Sequence, residues 1–157
     1  MDIETAGASG VTTGPADTMG ISYQSPSFNG IKVYATATAN GEKSGMGANY
    51  KAGPVEVMYQ SDDDGSSTES TIAAKFTAGP ISVGVGAADK GTTKYRQLGA
   101  TYTMGDVTFA TVQLKKGADK YSNFGAKYTV APGLVVAAET ASQGNNNASF
   151  VSIAVSF

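Results

Sequence analysis

The sequence predicts an all-β fold of antiparallel, up-and-down strands, and three observations carry that prediction. The composition is thin: 20 of 157 residues are Gly, 15% are charged, and Leu occurs only at Leu98, Leu114 and Leu134. A helical or α/β domain draws far more heavily on Leu. Second, a short motif recurs five times along the chain. Third, no segment spaces its apolar residues with a helical period.

The motif runs through MGISYQSPSFNGIKV (19–33), MGANYKAGPVEV (46–57), IAAKFTAGPISV (72–83), LGATYTMGDVTF (98–109) and FGAKYTVAPGLVV (124–136). Its aromatics are Tyr23, Tyr50, Phe76, Tyr102 and Tyr128, separated by 27, 26, 26 and 26 residues. Such regularity marks a structural repeat. Each unit reads as a β-hairpin: an alternating run, a short turn (SPSFNG, KAGP, TAGP, TMGD or VAPG) and a second alternating run.

Taken in order, the expected strands are these. Residues 19–25 alternate Met19, Ile21 and Tyr23 with Ser22 and Gln24, and 28–39 alternate Ile31, Val33, Ala35 and Ala37 with Lys32, Thr36 and Thr38. Residues 45–52 set Met46, Ala48 and Tyr50 against Asn49 and Lys51, and 55–61 set Val55, Val57 and Tyr59 against Glu56 and Gln60. Residues 70–78 set Ile72, Ala74 and Phe76 against Lys75, and 81–88 set Ile81, Val83 and Val85 against Ser82, Gly84 and Gly86. Residues 95–103 oppose Leu98, Ala100 and Tyr102 to Gln97 and Thr101. The strand at 107–115 is ambiguous, since Val107 and Phe109 disagree in parity with Ala110, Val112 and Leu114. Residues 122–130 oppose Phe124, Ala126 and Tyr128 to Asn123 and Lys127, and 134–141 carry Glu139 on the polar parity. The chain closes on 149–157, with Val151, Ile153, Val155 and Phe157 on one parity and Ser152, Ala154 and Ser156 on the other. Connections at the opposite ends of the hairpins (NGEK, SDDDGSSTES, DKGTT, KKGADK, SQGNNNA) are polar and charged, and are expected to form larger hydrophilic loops.

One strand face is thus apolar and the other polar. Parity alone leaves open whether the apolar face is a core, as in a soluble sandwich, or an exterior. Three features favour an exterior that faces membrane. The apolar face is made largely of small side chains, Ala, Val and Ile, and would fill a core poorly. Its aromatics sit in a row beside the tight turns, as an interfacial girdle does. The strands are about 8 to 11 residues long, the length of a tilted strand crossing hydrocarbon. A barrel of this many strands holds water rather than packed side chains.

Several function classes are excluded. Without Cys there are no disulfides, thiol nucleophiles or Cys-bound zinc, and without His the commonest general base and metal ligand are missing. No GxSxG is present and paired carboxylates fall only in loops, so no enzyme, and no cofactor, is expected. A net charge of −2 with no basic cluster in the sequence argues against a nucleic-acid partner. The longest clean apolar run, LVVAA at 134–138, is far short of the roughly 20 residues of a spanning helix. SDDDGSS (61–67) lacks the ligand spacing of a calcium loop, so no metal site is expected.

The stretch GISYQSPSFNGIKVYATA resembles the strand–turn–strand that follows the constriction loop in Gram-negative general porins, which are trimeric and sixteen-stranded. The ending at Val151, Ile153, Val155 and Phe157 resembles the terminal signature by which the barrel-assembly machinery recognises outer-membrane barrels. The likeness covers residues 18 to 157. It implies a transmembrane β-barrel in the bacterial outer membrane, a homotrimer in contact with outer-membrane lipid, and a water-filled channel for passive diffusion of small hydrophilic solutes and ions. Lys32, Lys51, Lys75 and Lys127 would line the pore as a positive strip with Glu56 and Glu139 among them, opposite Asp2, Glu4 and Asp17 of the constriction loop. Tyr23, Tyr50, Phe76, Tyr102, Tyr128 and Phe157 would form the interfacial girdle.

Eleven strands match the last eleven of such a barrel. An odd count leaves the first and last strands running the same way, and an antiparallel barrel cannot close on them. The expectation is therefore an incomplete barrel lacking its N-terminal third, with residues 1–17 the end of the constriction loop; a twelfth strand within 3–14 is the alternative. Two other functions stay open at this point: a soluble or surface-exposed β-repeat binding protein, and a structural outer-membrane barrel that does not conduct.

Overall fold

A computed structural model describes residues 20–156, and every regular element in them is a strand. β1 (Gly20–Gln24), β2 (Ile31–Thr38), β3 (Ser44–Ala52) and β4 (Val55–Asp63) are followed by β5 (Thr68–Ala78), β6 (Ile81–Lys90) and β7 (Thr93–Met104). The chain continues through β8 (Val107–Lys116), β9 (Asp119–Ala131), β10 (Leu134–Gln143) and β11 (Asn146–Val155). They form one eleven-stranded sheet in chain order, each strand antiparallel to its neighbours. Among the described residues β1 and β11 do not pair with each other, so the sheet is open. The expected constriction-loop segment 1–17, its alternative strand at 3–14, Met19 and Phe157 lie outside the described residues.

The turn chemistry at one end of the sheet is as expected. Asn29 and Gly30 both have positive φ (48° and 82°), and Phe28 and Ile31 exchange two 2.9 Å hydrogen bonds across them. That is the Asn-Gly type I′ turn, whose twist matches the strands it joins. Gly53 and Gly79 have φ of 54° and each precedes a Pro, whose ring enforces negative φ. A positive then a negative φ makes these type II′ turns.

The other end corrects the sequence reading. Among the described residues only 39–43 and 64–67 form longer loops there; Gly91-Thr92, Gly117-Ala118 and Gly144-Asn145 are two-residue turns. Strand pairing does not require apolar alternation. β6 to β11 therefore run on past the point where the alternation stops, and the charged residues assigned to loops are strand residues.

Burial separates the two faces. Every buried residue among those described lies on the polar parity: Thr38, Gly45, Met58, Ala73, Ser82, Gly84, Gly99, Ala110, Gly125 and Glu139. A single sheet can crowd one face in this way only by curling, so the polar parity is concave. The apolar parity is convex and bare, with Ile21 77%, Met46 63% and Ile72 54% exposed and no large side chain fully buried. The register also resolves β8. Phe109 faces Tyr102 and Val107 faces Tyr128 on the convex side, which sends Ala110, Val112 and Leu114 to the concave side.

Candidate functional site

The concave face carries the charge expected of it, in an arrangement the sequence does not reveal. Lys51, Glu56 and Lys75 are direct register neighbours on β3, β4 and β5. Lys32 faces Asn49 across β2–β3, and Asn49 Nδ2 donates to Glu56 Oε1 at 3.0 Å. Of these, Lys51, Glu56 and Lys75 border, with Thr77, a recess of about 440 Å³. Lys127 is not part of this group. It stands on β9 between Thr108 and Ala137, and the strands in between present Gly84, Gly99 and Ala110 to the concave face. The expected lysine strip is therefore two separate groups. Glu139, at 7% exposure the most deeply placed carboxylate among the described residues, accepts a hydrogen bond from Asn123 and faces Gly125 and Phe150.

A second polar group, nearer the far end, escaped the sequence reading. The Tyr34 hydroxyl bonds Gln60 Oε1 at 3.3 Å, and Gln60 Nε2 donates to Asp62. Gly45 and Gly47 on β3 leave the room this takes: a Cβ at 45 would meet the Asp62 carboxylate, and one at 47 the Tyr34 ring. Beside it Lys90 reaches Asp64 at 3.3 Å and Glu69 at 3.8 Å. Extending the parity beyond the apolar stretch would have placed Asp62, Glu69 and Lys90 on the concave face.

The three carboxylates of SDDDGSS are engaged separately. Asp62 bonds Gln60, Asp63 Oδ1 accepts the Gly65 N–H at 2.8 Å, and Asp64 Oδ1 accepts the N–H groups of Ser66 and Ser67 at 3.0 and 2.8 Å. The Ser66 hydroxyl and N–H and the Ser67 N–H, together with Lys90, hold the Asp64 carboxyl well below the usual carboxylate range.

The aromatics take the convex positions. Tyr23, Tyr50, Phe76, Tyr102 and Tyr128 are 60%, 44%, 47%, 43% and 48% exposed, each near its tight turn. Phe109, opposite Tyr102, joins this row; its conflicting parity hid it in the sequence. Val151, Ile153 and Val155 are exposed on the same face of β11.

A curled single-layer sheet, apolar outside and charged inside, defines the wall of a membrane β-barrel. The chain belongs to the Gram-negative porin family, whose model matches residues 2–154. These are proteins of the bacterial outer membrane, and that is where the chain resides. Among solved structures, a variant of the Rh. blastica porin superposes with a TM-score of 0.73 at 18% identity, over 88% of this chain and 55% of that one. OmpF of Salmonella typhi, in complex with daunomycin, gives 0.75 at 15% identity over 88% and 62%. A loop-deletion variant of OmpT of Vibrio cholerae gives 0.61 at 13% identity over 86% and 61%. These likenesses establish a porin barrel fold, and the chain spans little more than half the length of the porins it matches. Comparison with curated protein sequences yields no match.

Proposed function

We propose that this chain forms the C-terminal part of the wall of a water-filled outer-membrane channel, through which small hydrophilic solutes and ions diffuse passively. The observation that carries this reading is the division of the sheet: charged and amide side chains on the crowded concave face, bare apolar side chains on the convex one. Exposed apolar surface on this scale needs a covering, and lipid supplies it. Concave Lys51, Glu56, Lys75 and Glu139 then meet water in a lumen, where pore width and charge set selectivity.

Closure of the barrel requires further strands beside β1 and β11, since lipid tolerates no unpaired edge. In this reading strands preceding β1 provide them, the residues before β1 end a loop folded into the pore, and the assembly is a homotrimer inserted by the barrel-assembly machinery. Function is by diffusion, with no reaction catalysed.

Conductance across a planar bilayer tests the proposal. The purified protein should give stepwise, ohmic openings that are blocked by no nucleotide or cofactor requirement. A barrel that inserts yet passes no current would instead be structural.

A further inference from the structure

The concave face carries one area that a polar pore wall does not call for. Val112 and Leu114 of β8 lie half-buried on it, with Tyr121 of β9 directly opposite Leu114. Opposite Val112 is Asn123, which faces Ala141 of β10, and Ala141 in turn faces Ala148 of β11. These residues line a cavity of about 520 Å³. Gln97, Gln143 and Asn146 border it nearer the turns, where Gln143 Nε2 donates to the Tyr121 hydroxyl at 3.1 Å. Glu139 borders it on the side away from the turns.

The carboxylate is the informative member. At 7% exposure it accepts a hydrogen bond from Asn123, a neutral donor, and among the described residues no Lys or Arg forms an ion pair with it. Lys127 stands on the same face, two residues along β9 from Gly125, the register partner of Glu139, but takes no part in the cavity lining. A buried carboxylate is stabilised most by a cation held against it, and the cavity is the side from which one reaches Glu139. Apolar side chains on one wall, neutral hydrogen-bonding groups along the rim and one carboxylate at the far corner suit a small molecule that is apolar at one end and cationic at the other. β8 and β10 are two strand spacings apart, roughly 10 Å, the length of an aromatic ring carrying a short aminoalkyl chain.

We propose that this cavity binds amphiphilic amines, with the ammonium group on Glu139 and the apolar body against Val112 and Leu114. A small counter-ion would satisfy the carboxylate alone; the apolar wall selects the amphiphile. The site rests on the channel reading in one respect, that the concave face is the water-filled side. It goes further by giving one class of solute a resting place on the wall, which simple diffusion does not need.

The test is an amide-shift titration of the isotope-labelled, detergent-purified protein with phenylbutylamine, its neutral analogue phenylbutanol and the short cation butylamine. Phenylbutylamine should shift the Leu114, Asn123 and Ala141 amides saturably. Its affinity should exceed that of either other probe by about tenfold or more, the usual worth of a charged hydrogen bond in one comparison and of apolar burial in the other. Glu139→Gln should bring the amine down to the affinity of the alcohol, and Leu114→Asn should weaken both. Thr71→Val, on the concave face of β5 outside the cavity, should change neither. Equal affinity for phenylbutylamine and phenylbutanol, or for phenylbutylamine and butylamine, would overturn the proposal. So would the lack of any saturable shift, the result expected if another part of the chain fills the cavity. These comparisons are made on the unvaried protein and hold whether or not a variant folds. Binding is read here without current, so openings of the unvaried protein in a planar bilayer, recorded without amine, test the channel reading separately.

Discussion

Tyr34 and Gly47 face each other across the β2–β3 ladder, and the tyrosine ring lies where a side chain at 47 would begin. The Tyr59 carbonyl, 2.6 Å from the same point, closes the space from the other side. Overpacking of this kind costs about 1–3 kcal/mol. Gly47→Ala should therefore lower the urea midpoint of the folded barrel, and Gly47→Val should lower it further. Tyr34→Ala in the G47A background should recover part of the loss, because the carbonyl remains. An unchanged midpoint for G47V would mean that the ring does not rest there.

Gln97 and Leu98 are consecutive and point to opposite faces, which makes them a direct test of sidedness. A charged residue on the lipid face of a barrel costs about 2–4 kcal/mol near the bilayer midplane and about 0–1 near the interfaces. Leu98→Arg should impair folding into lipid vesicles by an amount in that range, and Gln97→Arg should be nearly neutral. Were the two to behave alike, the convex face would not be turned to hydrocarbon.

The Lys51–Glu56–Lys75 row sets a sign for ion preference. Glu56→Gln removes the negative charge between two lysines and should move the reversal potential toward anions; Lys51→Gln combined with Lys75→Gln should move it toward cations, by about twofold in permeability ratio. Screening lengths are about 10 Å at 0.1 M salt and about 3 Å at 1 M. Both shifts should shrink at high salt, and a shift insensitive to salt would point to a change in pore width instead.

Asp64 predicts a loop that resists acid. Its carboxyl titrates below the ordinary value of 3.8 because the folded loop donates to the ionised form. The stabilisation is thus fully present above the unfolded value and is lost only as pH falls through the lowered folded value. Ser66 and Ser67 amide shifts should stay flat as pH falls from about 6 to about 3, through the ordinary carboxylate range. A titration centred near pH 4 would show that the carboxylate is not held.

Much of this was legible in the sequence. Alternation located all eleven strands, and Asn29-Gly30, Gly53-Pro54 and Gly79-Pro80 announced their turns. The far end was misjudged because hydrophobic patterning reports a strand's environment and not its hydrogen bonds. Thr93 to Arg96 and Asp119 to Ser122 pair with the preceding strand without alternating. β8 was ambiguous for a related reason: its convex side changes from Val107 and Phe109 to Thr111, Gln113 and Lys115, and only the register with Tyr102 decides its facing. The separation of Lys127 from Lys75 was legible only in part: up-and-down order already puts three strands between them, but which residues those strands present in the gap depends on strand stagger.

The two-residue turns joining β6–β7, β8–β9 and β10–β11 have a bearing on how such an opening could be controlled. Two residues cannot reach across a mouth, bend inward on a signal or exchange between open and shut positions. Over this half of the rim the entrance is a fixed collar, and whatever lid or voltage response the protein has must come from the 39–43 and 64–67 loops or from other parts of the chain.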